Sequence, residues 1–106
     1  MKSSMAKSRL EILAPAWREL DEIASYYLLV VGSASARKIT DKILDSLARL
    51  EDFPLSCAHV PDIELKKQDY RMLVCDKYVC IYRLIGEIVY VYHIAPWSTE
   101  YSNLLK

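Results

Sequence analysis

Residues Tyr70–Ile94 read YRMLVCDKYVCIYRLIGEIVYVYHI, and this stretch decides the fold. Tyr70–Val74, Lys77–Leu84 and Glu87–Ala95 are rich in Val, Ile, Tyr and Cys, side chains that fit a pleated, half-buried surface. Asp76-Lys77 and Ile85-Gly86-Glu87 interrupt them with connections short enough for hairpins, so the stretch predicts a three-stranded antiparallel meander. Pro96 ends the last strand, and Ser98 is placed to cap a short helix over Thr99–Leu105. Tyr70, Tyr78, Tyr82, Tyr90 and Tyr92 all fall in these strands, more tyrosine than a plain core needs, and part of the set is expected to face a partner or ligand.

Upstream of the meander the period changes. Arg9–Leu13 alternates polar and apolar residues and stops before Pro15, which suits a short strand followed by a helix with proline in its first turn. Trp17, Leu20, Ile23, Ala24, Tyr27, Leu28 and Val31 then recur at helical spacing, opposite a face carrying Arg18, Glu19, Asp21 and Glu22. Gly32 supplies a stop and Ser33 an N-cap for a second helix, whose apolar stripe is Ile39, Ile43, Leu47 and Leu50 and whose end lies near Phe53-Pro54. So short a connection predicts an antiparallel helical hairpin. Pro54–Asp69 reads as connection, with a brief extended piece at Ile63–Leu65. The class expected is α+β: a helical hairpin packed on a mostly antiparallel four-stranded sheet in the order β-α-α-β-β-β, with a short C-terminal helix.

The 106 residues suit one domain, 1–106, able to fold without disulfides or a metal. Hydrophobic residues at 53% against 26% charged argue for a filled core rather than disorder. Fourteen basic and fourteen acidic residues cancel, so no global charge draws the chain to a polyanion. Cys57, Cys75 and Cys80 form no CxxC pair and read as reduced thiols, most simply as small core side chains. The N-terminal stretch has no apolar core of a secretory signal, and no apolar run approaches the roughly 20 residues of a membrane span. A soluble, cytoplasmic protein that does not engage a membrane is expected. No glycine-rich phosphate loop, paired acidic site or metal-ligand spacing is present, so no cofactor and no metal are expected.

Three segments taken together resemble the RelE/ParE toxin superfamily of type II toxin–antitoxin systems across almost the whole chain. EILAPAWRELDEIASYY, Glu11–Tyr27, is similar to the family's strand and acidic-apolar first helix ending in an aromatic pair. ARKITDKILDSLARLEDFP, Ala36–Pro54, is similar to its second helix with the Leu-x-x-Phe-Pro ending, and Tyr70–Ile94 to its three closing strands. The resemblance implies a toxin held inactive by a cognate antitoxin whose extended or helical segment wraps it, in an assembly such as a heterotetramer. It also implies one of two targets: messenger RNA cleaved on the ribosome, or DNA gyrase poisoned.

Metal-free RNA cleavage needs a base for the 2′-hydroxyl, cations for the phosphorane and an acid for the leaving oxygen. The candidate catalytic set is Arg71, Arg83, His93 and Tyr101, with Lys66, Lys67, Lys77, Tyr78, Tyr82 and Trp97 as candidate substrate contacts. Arg71 and Arg83 match basic positions of the family's strands, where a forked donor pair holds a phosphate. The bland alternative has Arg83 paired with Glu87 or Glu64 and fixing the sheet. His93 is either an acid or base or, more commonly for a strand histidine, a packing residue. Lys66 and Lys67 resemble a phosphate-contacting lysine pair of some relatives, and equally an ordinary exposed loop pair. Trp97 suits stacking on a base or docking of the C-terminal turn, while His59 reads as a solvated loop residue. After the last strand the family's nucleases carry basic residues, and this chain has Ala95-Pro96-Trp97-Ser98-Thr99-Glu100-Tyr101 instead.

The function expected is a growth-arresting toxin, with ribosome-dependent messenger RNA cleavage placed ahead of gyrase inhibition. A rival of another kind is a non-toxic, toxin-fold binding protein that acts with an antitoxin in autoregulation.

Overall fold

In the computed structural model, which describes residues 8–98, the chain runs β1 (Arg9–Ile12), α1 (Ala14–Val30), α2 (Ser33–Ala48), a 3-10 turn (Arg49–Glu51), α3 (Ile63–Lys67), β2 (Arg71–Cys75), β3 (Tyr78–Ile85) and β4 (Ile88–Pro96). The expected helix over Thr99–Leu105 lies outside the described residues. The sheet order is β1-β4-β3-β2, with β1 parallel to β4 and the other pairs antiparallel. The α+β architecture read from periodicity is therefore the one observed.

Both hairpins close on two residues. Cys75 pairs with Tyr78 across Asp76-Lys77, and Ile85 with Ile88 across Gly86-Glu87. Asp76 (φ 54°) and Gly86 (φ 63°) supply the left-handed backbone that lets the turn follow the twist of the strands. A register shift at Ile81/Tyr82 leaves Tyr92 as the extra residue of β4, because Ile81 pairs with His93 and Tyr82 with Val91.

The helical hairpin lies on one face of the sheet. Its core joins Ala16, Leu20 and Ile23 of α1, Ile39, Ile43 and Leu47 of α2, Leu50 of the 3-10 turn, and Cys75, Cys80, Tyr82, Val89, Val91 and Ile94 of the sheet. At Gly32 the φ of 134° turns the chain between the helices, and its N–H donates to Tyr27 O at 2.8 Å. Gly32, not Ser33, occupies the N-cap, and no side chain caps α2; Ser33 is already its first helical residue. Val31 closes α1 with an N–H bond to the same Tyr27 carbonyl. Across the hairpin's flank Lys42 pairs with Asp76 of the β2–β3 turn at 2.8 Å.

The connection before β2 departs from expectation in a useful way. Ile63–Leu65 is helical rather than extended, because the Asp62 carboxylate accepts from Glu64 N and Leu65 N and so nucleates the single turn of α3. The preceding residues run along the outer edge of β2. Val60 N donates to Tyr70 O and Met72 N to Ala58 O, both at 3.0 Å, with a bridge at His59 and Arg71. Val60, Leu65, Tyr70 and Ile81 form a second small core on the sheet face away from the helices, with Met72 and Tyr92 against it. Far from being an unengaged loop residue, His59 pairs through Nε2 with Asp69 at 2.7 Å.

Leu47 is fully buried where α2 meets the sheet. Leu47→Ala is expected to lower unfolding free energy by about 2–5 kcal/mol, the usual cost of a buried leucine truncation. Denaturant unfolding at an unchanged m-value checks this; a loss below about 1 kcal/mol would show that this layer does not hold the fold together.

Candidate functional site

Period-two alternation decides which strand side chains can meet. Arg71 pairs with Tyr82, so both leave the sheet on the helix face, and Arg83, the next residue, leaves on the other. The two arginines therefore do not converge. Arg71 lies under the Phe53–Val60 segment, its side chain only 16% exposed, and its Nη1 donates to Cys57 O at 2.7 Å. Its Nη2 stands 3.7 Å from Asp69, and its buried Nε has no partner among the described residues. Beside it Tyr82 is fully buried and donates to Pro54 O at 2.9 Å. Burial raises the Tyr82 phenol above its ordinary range, so this hydroxyl is a fixed donor rather than a base.

On the opposite face Arg83 sits in an aromatic corner. Its guanidinium carbon is 4.3 Å from the Tyr70 ring centre and 5.1 Å from that of Tyr92, and the two rings meet edge to face at 5.2 Å. Nε and Nη2 both donate to the Tyr92 hydroxyl, at 3.2 and 3.0 Å, and Nη1 reaches Gln68 O at 3.4 Å. Neither Glu87 nor Glu64, the acids considered from sequence, pairs with it among the described contacts. Gln68 follows directly on α3, whose last turn carries Lys66 and Lys67, both exposed, with Lys67 at 3.8 Å from Glu64.

The remaining candidates are spread elsewhere. His93 Nδ1 lies 3.1 Å from both oxygens of Glu19, whose carboxylate also accepts from Ile94 N at 2.9 Å. That N–H is on the side of β4 beyond the end of β1, so Glu19 ties α1 to an otherwise open strand edge. Lys77 stands exposed in the β2–β3 turn and its carbonyl accepts from Trp97 N at 2.8 Å. Arg83 lies six residue steps from Lys77, about 20 Å along β3. Tyr78 is half-buried, and burial together with the Tyr27 hydroxyl pushes its phenol up to about 12. Tyr101 lies outside the described residues.

Of the strand tyrosines, part of which was expected to face a partner or ligand, Tyr70 and Tyr82 are buried and Tyr78, Tyr90 and Tyr92 half-buried. Exposed aromatic side chains are instead Trp17, Tyr26, Phe53 and Trp97. A groove of about 350 Å³ runs between α1 and the end of the sheet, lined by Glu19, Glu22, Ile23, Tyr26, Tyr78, Ile94, Ala95 and Pro96. Among the described residues no group of three or more His, Cys, Asp or Glu could hold a metal ion, and no helix is long and apolar enough to cross a membrane.

Residues 10–101 match the family described as "ParE toxin of type II toxin-antitoxin system, parDE". The chain belongs to the ParE toxin family. A solved structure titled "Chromosomal ParDE TA system from P. aeruginosa" is similar in fold, with a TM-score of 0.73 at 20% identity over 85% of this chain and 96% of that one. No curated protein matches the chain. Within the ParE fold, the residues that sequence reasoning passed over are Glu19, Gln68, and Tyr70 and Tyr92 as a pair of walls. Hairpin register would have placed Arg71 and Arg83 on opposite faces, whereas the β4 irregularity that brings Tyr92 to Arg83 has no sequence signature.

Two outcomes are expected. Arg71→Ala should destabilise the fold by about 1.5–3 kcal/mol, the range for a hydrogen bond from a charged group; unchanged thermal melting would show the Cys57 contact to be idle. Tyr78 has its folded pKa raised from 10.0 to about 12, so its contribution to stability is complete below pH 10 and is lost as pH rises toward 12. Unfolding free energy should therefore fall across that window, and Tyr78→Phe should flatten the slope; an identical slope in the variant would remove Tyr78 as its source.

Proposed function

We propose that this ParE-family chain arrests growth by binding DNA gyrase, and that a cognate ParD-type antitoxin neutralises it. The observation that carries this reading is the separation of the basic residues. Arg71 leaves β2 on the helix face and is spent on Cys57 O, while Arg83 leaves β3 on the other face. RNA cleavage requires a base, a cation and an acid around one phosphate, within hydrogen-bond reach of the reacting atoms. Here His93 is held by Glu19, Tyr82 is buried against Pro54 O, and Lys77 is remote from Arg83.

Charge supports the same order. With 14 cations balanced by 14 anions, few net phosphate neutralisations are available, and binding to a polyanion draws most of its affinity from those. A protein surface as target makes no such demand. Gyrase inhibition thus moves ahead of ribosome-dependent messenger RNA cleavage, the order opposite to the one favoured by sequence. Arg83, with the exposed Lys66 and Lys67 on the adjoining α3, is a basic group available for contact on the sheet face away from the helical hairpin, and it serves recognition in this reading.

Purified protein should inhibit gyrase supercoiling in vitro, and the inhibition should be relieved by the product of the neighbouring antitoxin frame. Transcript mapping after induction should show no codon-register cleavage. Intact supercoiling together with cleaved transcripts would establish the nuclease instead; normal growth on expression without an antitoxin would establish a non-toxic binding protein.

A further inference from the structure

Among the half-buried basic side chains of the described residues, Arg83 differs from His59, Arg71 and His93 in having no acid beside it. Lys42 has Asp76, His59 and Arg71 share Asp69, Lys67 has Glu64, and His93 has Glu19. No carboxylate lies within ion-pair distance of Arg83 among the described residues, although the side chain is partly buried. Among the described residues its positive charge is met by the faces of Tyr70 and Tyr92 and by two neutral oxygens, those of Tyr92 OH and Gln68 O. Aromatic faces and neutral acceptors offset part of the cost of removing a guanidinium from water, and an anion offsets more.

The same contacts fix its orientation. A guanidinium has five N–H donors. Nε, one N–H of Nη2 and one of Nη1 are used, which leaves an N–H on each terminal nitrogen unassigned. A donor pair of this kind on a planar, already immobilised group suits an oxyanion, and the entropy of ordering the side chain is spent before any ligand arrives. Tyr70 is 7% exposed, so its ring serves as a wall for the arginine and not as a platform for a base.

We infer that Arg83 is a preformed docking point for a carboxylate side chain of the protein that the toxin inhibits. The inference rests on the gyrase reading and adds the contact that would carry it. A carboxylate is favoured over a nucleic-acid phosphate because the surroundings are mixed in charge. Asp69 and Glu64 lie beside the same segment as Lys66 and Lys67, and a phosphate track would meet them repeatedly, whereas one acidic side chain need not.

The test compares wild type, Arg83→Gln and Arg83→Lys for binding to purified DNA gyrase over a range of salt, at a temperature below the melting point of all three. Removing one member of a desolvated charge pair should weaken binding about 30-fold or more in Arg83→Gln, with a shallower dependence of affinity on salt. Arg83→Lys should recover only part of this, because an ammonium lacks the fork. Wild type that inhibits gyrase while Arg83→Gln inhibits equally well would overturn the docking point and leave the gyrase reading standing. Wild type inert toward gyrase would overturn both. If binding of wild type to duplex DNA alone is lost to the same degree in Arg83→Gln, the anion is a phosphate and the carboxylate assignment fails. A loss of gyrase affinity that Arg83→Lys does not relieve, with an unchanged salt slope, would mean that Arg83 merely supports the sheet, and would also overturn the inference.

Discussion

A strand cannot send two successive side chains the same way, and on β3 this rule sets everything around it. Tyr82 is drawn under the helical hairpin, where its ring joins the main core and its hydroxyl finds Pro54 O. Arg83 must then leave on the far face, and Ile81 with it, toward the smaller core built by Val60, Leu65 and Tyr70. The pairing of Tyr82 with Arg71 carries the constraint one strand further and turns Arg71 inward beneath the Phe53–Val60 segment. The chain thus has an interior arginine that braces a loop and an outward one walled by tyrosines, from residues that look alike in sequence.

Much of the architecture was legible because periodicity survives without coordinates. The Val-, Ile- and Tyr-rich composition of Tyr70–Ile94, the two short turns and the helical stripe of Ile39, Ile43 and Leu47 each correspond to an observed element. What was not legible depended on single hydrogen bonds or on irregularities. Asp62 converts Ile63–Lys67 into a helical turn through two backbone N–H bonds, overriding the extended preference of a lone Ile-Glu-Leu. Gly32 takes the cap that Ser33 was expected to take, because φ near 134° is open to glycine and strained for serine. His59 looked solitary since Asp69 is ten residues away and reaches it only after the chain has folded back along β2.

The candidate site divides the same way. That Arg71 and Arg83 point apart follows from hairpin register, which the Asp76-Lys77 turn already implied. That Tyr70 and Tyr92 stand on either side of Arg83 follows from a register shift in β4 and from the path of the α3 segment, neither of which has a marker in the sequence. The helical hairpin and mixed sheet go with the family, while the contacts of the two arginines follow from local packing.

Glu19 has a wider effect than its pairing with His93 suggests. By accepting from Ile94 N it withdraws a main-chain donor from the margin of β4 that β1 leaves uncovered, and Pro96 offers no N–H two residues on. The Ala58–Val60 segment similarly occupies the margin of β2. A foreign strand therefore finds fewer free main-chain groups at these two places, which disfavours edge-to-edge pairing there. A molecule that grips these stretches works with side-chain shape and charge more than with a free run of backbone donors.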